Sequence, residues 1–134
     1  MNPYQTHDAF SWHELMARDA DAVLPFYKSL FGWTVETEAM PDGPYHVVKA
    51  GGESVGGVMT MPPHLAQGGM PPAWGCYVTV NDVDATAAQA ATLGGKVVHG
   101  PMDIPGIGRF AVIVDPHGAA VSVIAYKMPE QQAS

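Results

Sequence analysis

Residues 108–125 read GRFAVIVDPHGAAVSVIA, two runs rich in Val, Ile and Phe flanking Asp115-Pro116-His117-Gly118. Pro presets φ for a tight turn and Gly accepts a positive φ, so the stretch predicts a β-hairpin. A shorter version stands in the first half, where Tyr45-His46-Val47-Val48-Lys49 leads through Ala50-Gly51-Gly52-Glu53 into Ser54 to Met59. A hairpin closing each half predicts a chain written twice.

Working back from the two hairpins, the same order of elements precedes each. Phe10 to Met16 reads as a strand with Phe10, Trp12, Glu14 and Met16 on one face and Ser11, His13 and Leu15 on the other. Asp19 and Asp21 start a helix that carries Val23, Phe26, Tyr27, Leu30 and Phe31 to a C-cap at Gly32. Pro25 is out of place there, because beyond the first turn it removes a backbone hydrogen bond. Trp33 to Glu38 reads as a strand and Met40-Pro41-Asp42-Gly43-Pro44 as a turn. In the second half Trp74, Cys76, Val78 and Val80 oppose Gly75, Tyr77 and Thr79, and Asp82 caps a helix from Val83 to Leu93 that Gly94-Gly95 ends. Lys96 to His99 is then a strand and Pro101 to Gly108 a loop. An offset of 63 superposes Asp19 and Asp21 on Asp82 and Asp84. Met1 to Ala9 is a polar lead without pattern. The expectation is α+β: one domain, 1–134, of two tandem βαβββ units at 10–61 and 73–126, joined by a Pro- and Gly-rich connector at 62–72.

Composition narrows the function classes. A chain of 134 residues, 47% hydrophobic and 14% charged, can bury one real core. Six Lys and Arg against 13 Asp and Glu, a net charge of −7, exclude nucleic-acid binding, which needs clustered cations. The acidic balance suits a cationic guest. One cysteine makes no internal disulfide, no apolar core follows a charged start at Met1, and the longest apolar runs fall well below the roughly 20 residues of a membrane span. The chain reads as cytoplasmic, with neither nucleic acid nor membrane as partner.

The FY of Phe26-Tyr27, the GW of Gly32-Trp33 and the closing DPHG, set in two βαβββ units, resemble the vicinal oxygen chelate superfamily of glyoxalase I, bleomycin-resistance proteins and extradiol dioxygenases. The phrases WHEL, FYKSLFGW, GGVM and DIPGIGRFAVIVDPHGA look closest to a group of small bacterial proteins labelled glyoxalase-like or hydroxylase. The resemblance implies curved mixed sheets around a cup, the site on the concave side, the helices on the convex side, and a homodimer. The cup is built within one chain or shared between two.

Metal enzymes of that superfamily take a His, Gln or Glu ligand from the first and last strand of each unit. Carried over, these positions fall on Trp12 and Gly75, seven residues before the capping Asp19 and Asp82 respectively, on Ser122, and on Gly56 or an immediate neighbour. None supplies a carboxylate, imidazole or thiolate, so the reading predicts no metal at the usual place and no cofactor. The scattered His residues (His7, His13, His64 and His117 among them) read as ordinary usage, Cys76 as a buried structural thiol, and Met16, Met59, Met61, Met70 and Met102 as core filler or an adaptable pocket wall. Gly106 and Gly108 beside Arg109 precede a strand and form no phosphate loop.

Glu14 is the candidate catalytic residue. It shares the face of Trp12, and in an apolar, Trp-lined pocket its ionised form would be disfavoured, raising its pKa towards that of a general acid or base. The plain alternative is a carboxylate that bonds a neighbouring strand or Arg109 and holds the sheets in register. Trp12, Glu14, Gly56, Gly75, Tyr77 and Ser122 are the expected ligand-binding set, with Trp12, Glu14, Tyr77 and Ser122 lining one cavity. The leading function is a small-molecule-binding protein that holds a partly apolar guest in the cup without the usual divalent metal, the aromatic walls favouring a planar or partly apolar one. The alternative is a lyase, isomerase or oxygenase using Glu14, or a metal at an unorthodox set such as Glu14 with His46 or Glu53; an accessory domain acting by self-association is the third. Whether the chain is an enzyme is left open by the sequence.

Overall fold

The computed structural model describes residues 1–40, 43–104 and 106–127. Contacts divide the chain into two compact units, one of Trp12–Gly75 and one that joins Met1–Ser11 to everything from Cys76 onward. Among the described residues no helix is long and apolar enough to cross a membrane.

The unit of Trp12–Gly75 carries β1 (Phe10–Ala17) from Trp12 on, α1 (Ala20–Phe31), β2 (Thr34–Met40), β3 (Gly43–Ala50) and β4 (Glu53–Thr60), with strand order β2-β3-β4-β1. β1 runs parallel to β4, and the other pairs are antiparallel. Asp19 caps α1 by accepting from the Ala22 N–H at 3.3 Å, and Gly32, at φ 70°, closes it by donating to the Lys28 carbonyl at 2.9 Å. The helix runs straight through Pro25. The carbonyl that Pro25 leaves unbonded within the helix is that of Asp21, on an exposed turn where water can satisfy it. Leu15, Ala17, Ala20, Leu24, Val48 and Val58 form the core between α1 and one face of this sheet. Each Leu or Val side chain among them contributes about 1.5–3 kcal/mol on burial.

Two expectations change here. The connector carries a short helix, α2 (Pro63–Gln67), with Leu65 buried; Pro63 fits because the first helical position has no bond to lose. The turn expected at Met40 to Pro44 is flanked by paired Met40 and Gly43, while Pro41 and Asp42 lie outside the described residues.

The second unit repeats the order with β5 (Ala73–Thr79) from Cys76 on, α3 (Val83–Thr92), β6 (Lys96–Ile104), β7 (Gly108–Val114) and β8 (Ala120–Tyr126), arranged β5-β8-β7-β6 with β5 parallel to β8. Asp82 caps α3 through the Ala85 N–H at 3.0 Å. Val80, Val83, Ala111, Ile113 and Val123 form its core, with Val78, Ala90, Val97 and Ala125 packed against it. The loop expected over Pro101 to Gly108 is mostly strand: β6 continues to Ile104 by shifting register between Val97 and His99 and again between His99 and Met102. Gly100, at φ 77°, makes this possible, since a Cβ there would meet the Phe110 carbonyl at 2.7 Å. Pro105 lies outside the described residues.

The DPHG hairpin closes as an Asx-type turn. Asp115 accepts at one carboxylate oxygen from the N–H groups of His117 (2.8 Å) and Ala119 (3.1 Å), and its own N–H donates to the Ala119 carbonyl at 2.7 Å. These N–H donors favour the ionised form and hold the Asp115 carboxyl below the usual carboxylate range.

The lead is not patternless in space. Asp8 N–H donates to the Thr79 carbonyl at 2.7 Å, Thr79 N–H to the Ala9 carbonyl at 2.8 Å, and the Thr79 hydroxyl to the Pro3 carbonyl at 2.7 Å. Tyr4 sets its ring edge-on to Tyr126 at 5.2 Å, and His7 Nδ1 accepts the Asn81 N–H at 3.1 Å. A nine-residue polar segment has no periodicity to read, yet it satisfies the backbone of Thr79 at the end of β5.

Candidate functional site

In each unit one sheet face is taken by the helix, so chemistry must be sought on the other. In the unit of Trp12–Gly75, Leu15 and Ala17 point into the α1 core, which turns Trp12, Glu14 and Met16 to the opposite face. The register pairs Glu14 with Gly57, Gly57 with Val47 and Met59 with Tyr45, so these residues share that face. Glu14 is 5% exposed. Trp12 Nε1 donates to the Tyr45 hydroxyl at 2.9 Å. The Tyr45 phenol lies over Gly57, where any Cβ would run into it. An indole, a phenol and a buried carboxylate therefore occupy neighbouring positions around a glycine that leaves them room.

The unit from Cys76 onward has the counterpart. Tyr77 pairs with Ser122, Ser122 with Val112, Ile124 with Phe110 and Phe110 with Met102, all on the face away from α3. Tyr77, Ser122, Phe110, Val112 and Ile124 are buried. Phe110 packs against Tyr77 at 6.3 Å and His99 at 5.6 Å between ring centroids. Tyr126 hydrogen-bonds Ser11 through its hydroxyl at 2.8 Å. Val78 packs towards α3 with Val80, and Cys76 is half-buried at the same parity.

In each unit two of the expected site residues share a sheet face. Trp12 and Glu14 share one face of their sheet, and Tyr77 and Ser122 are cross-strand partners in theirs. Gly75 approaches the β1 backbone: a Cβ on it would lie 3.9 Å from the Glu14 carbonyl. Gly56 is displaced from the set. It pairs with Val48, whose side chain is in the α1 core, and a Cβ on it would meet the His13 carbonyl at 2.8 Å. Its neighbour Gly57 holds the position equivalent to Ser122. Glu14 and Tyr77 are 63 residues apart, but their partners Gly57 and Ser122 are 65 apart; Glu36 and His99 are still 63 apart while Val47 and Val112 are already 65 apart, so the two extra residues lie between β6 and β7. Tyr45, Phe110 and His99 were missed; alternation along β3, β7 and β6 was the signal that could have found them.

The unorthodox metal set does not converge. His46 pairs with Val58 on the α1 side of the sheet, opposite to Glu14. There it is buried, with Nδ1 2.8 Å from the Thr37 hydroxyl and Nε2 3.1 Å from Asp21. Glu53 is exposed at the start of β4. Arg109 is likewise committed: it donates twice to Asp84 (2.8 and 3.0 Å) and once to Asp103 (3.1 Å), and its guanidinium holds the Asp84 carboxyl below the usual range. It lines a cleft of about 240 Å³ with Asp103, Ile104, Gly108, Ala125 and Lys127.

The family's metal does not fit these residues. Trp12 offers only a donor, already directed at Tyr45; Gly57 and Gly75 offer no side chain; Ser122 offers a lone hydroxyl. Among the described residues no group of three or more His, Cys, Asp or Glu is placed to hold a metal ion.

A family model of the Glyoxalase/Bleomycin resistance protein/Dioxygenase superfamily matches residues 9–123. The chain belongs to this superfamily. A relative from Mycobacterium tuberculosis named "Putative glyoxylase CFP32" is 45% identical over 114 residues, covering 84% of this chain and 42% of its own length. The "Anthracycline biosynthesis protein DnrV" of Streptomyces peucetius is 37% identical over 124 residues, covering 84% and 45%. The chain spans less than half the length of these relatives. Among solved structures, a Streptomyces coelicolor methylmalonyl-CoA epimerase in complex with 2-nitronate-propionyl-CoA superposes with a TM-score of 0.59 at 19% identity, covering 92% of this chain and all of that one. A hypothetical protein from Bacillus halodurans reaches 0.65 at 12% identity, covering 92% and 97%. At these identities the structures speak for the fold alone, an α+β vicinal oxygen chelate fold with mixed sheets.

Proposed function

We propose that this protein binds a small, planar, partly apolar molecule on the sheet faces opposite its helices, without the divalent metal that superfamily enzymes place there. The observation that carries the reading is the Trp12, Tyr45 and Glu14 group: two aromatic side chains joined by a 2.9 Å hydrogen bond, beside a carboxylate that is 5% exposed. Ring faces favour a planar guest, and a carboxylate in that setting favours a donor or a cation on it. The net charge of −7 draws a cationic guest in the same direction. Two relatives carry names from anthracycline biosynthesis, and an anthracycline is a polycyclic aromatic, often bearing an amino sugar, of this chemical class. The reading includes a soluble cytoplasmic homodimer, the habit the resemblance implies.

The test titrates protein purified without an affinity tag with an amino-sugar anthracycline, following Trp emission and thermal stability. Binding at about 10 μM or tighter, with Glu14→Gln weakening it about tenfold through loss of one charge-assisted contact, is the expected result. No stabilisation at about 100 μM ligand would refute the guest class. Stoichiometric Zn, Ni, Mn or Fe in active protein, with activity lost on chelation, would refute the metal-free reading.

A second reading keeps Glu14 as a proton-transfer group of a lyase, isomerase or oxygenase. Its burial beside the Tyr45 hydroxyl is the observation in favour, and turnover abolished by Glu14→Gln while binding survives would select it.

A further inference from the structure

Among the described residues, several large apolar groups left in water gather on one side of α1. Phe26, Leu30 and Phe31 are 60%, 57% and 56% exposed, and Trp74 is 41% exposed. They form one surface, because Tyr27 stands at its centre with ring centroids 5.1 Å from Phe26, 6.2 Å from Phe31, 5.9 Å from Trp33 and 5.4 Å from Trp74. Trp74 Nε1 donates to the Tyr27 hydroxyl at 3.2 Å, and Phe31 lies 5.0 Å from Trp33. An amphipathic helix should turn such residues inward, and α1 already does so with Ala20 and Leu24. It therefore has a second apolar face that its own sheet does not use.

We propose that this face is the contact between two copies of the chain, α1 against α1 about a twofold axis. Two observations select a second copy as the occupant. First, the exposures leave roughly 450 Å² of apolar side chain in water at about 200 Å² per large side chain, the scale of patches that mark interaction sites. Counted on both copies, with the polar rim added, this approaches the roughly 1,200 Å² of a small specific interface. Second, Pro25 to Trp33 contains no carboxylate and only Lys28 as a charge, in a chain with 13 Asp and Glu. Two copies can meet there without opposing carboxylates, which a self-complementary patch in so acidic a chain must avoid.

The proposal deepens the homodimer named above and rests on it; its test separates the two. Sedimentation equilibrium is run on wild type, Leu30→Lys and Phe31→Glu from about 1 to 200 μM. Wild type is expected at twice the chain mass, and each variant at least 100-fold weaker in self-association with an unchanged far-ultraviolet spectrum, since both positions are more than half exposed. Wild type that also dissociates on dilution should shift its Trp emission to the red as Trp74 and Trp33 meet water, a readout that needs no variant. Monomeric wild type at about 200 μM overturns both the homodimer and its surface, and Trp emission quenched by a planar solute in that monomer assigns the patch to a small molecule instead. A dimer that survives both substitutions, or dissociates without an emission change, overturns the surface alone.

Discussion

Replacing Gly57 with Ala should damage the proposed binding face more than the fold. The added Cβ falls inside the space of the Tyr45 phenol, so the ring must swing away. Swinging breaks the 2.9 Å hydrogen bond from Trp12 Nε1, a net loss of about 1 kcal/mol, and repacking the ring adds about 1 kcal/mol. At roughly 3–4 °C per kcal/mol for a chain of this size, the midpoint should fall by about 6–8 °C. The Trp12 contribution to fluorescence should change and affinity for a planar cationic guest should fall about tenfold or more. Gly56→Ala is the control, because its Cβ would meet the His13 carbonyl at 2.8 Å, a backbone atom that cannot swing aside. It should cost more stability, about 3 kcal/mol, through parting β4 from β1. Thermal denaturation and ligand titration on the two variants decide the matter. A Gly57→Ala protein with wild-type midpoint, emission and affinity would refute the placement of Tyr45 over Gly57, and with it the site.

Two further outcomes follow from groups outside that face. His46→Ala should cost about 2–3 kcal/mol by denaturant unfolding, because it removes a buried ring that links Thr37 on β2 to Asp21 on α1; a loss under about 0.5 kcal/mol would show the link is idle. Asp115 and Asp84 have folded pKa values below their unfolded ones, the first held by backbone N–H groups and the second by Arg109. Their stabilisation is therefore complete above the unfolded carboxylate pKa near 4 and is lost as pH falls through the folded values. Asp115→Ala should flatten the acid limb of the stability curve below about pH 4, and an unchanged limb would refute the assignment.

The elements most legible in the sequence were those whose signal is local. Asp19, Gly32 and Asp82 act at the helix ends through bonds to residues within one turn. The DPHG turn likewise closes on its own carboxylate. The strand β6 was cut short because Pro101 and Gly100 read as a break, whereas in three dimensions β7 supplies the partner and two register shifts absorb the irregularity. The lead at Met1 to Ala9 escaped for a related reason: its bonds run to Thr79 and Asn81, some 70 residues away, and no window along the chain contains both ends.

The site shows the same division, with one error that has a physical cause. Alternation on β1 placed Trp12 and Glu14 correctly relative to Leu15, since parity within a strand needs no partner. Choosing Gly56 required carrying an offset from one unit to the other, and the second unit has two extra residues between His99 and Val112, in the irregular β6–β7 stretch, that the caps do not record. A one-residue slip in a strand exchanges its faces, so the small miscount moved the choice from the Glu14 face to the α1 core. His46 was open to the same fault. Read as a metal ligand it needed the parity of Glu14, but its partner Val58 is core, and the imidazole instead spans β2 and α1. Where a residue's role depends on which face it occupies, the register with the neighbouring strand decides it. That register is fixed by turn length and bulges rather than by the identity of the residue itself.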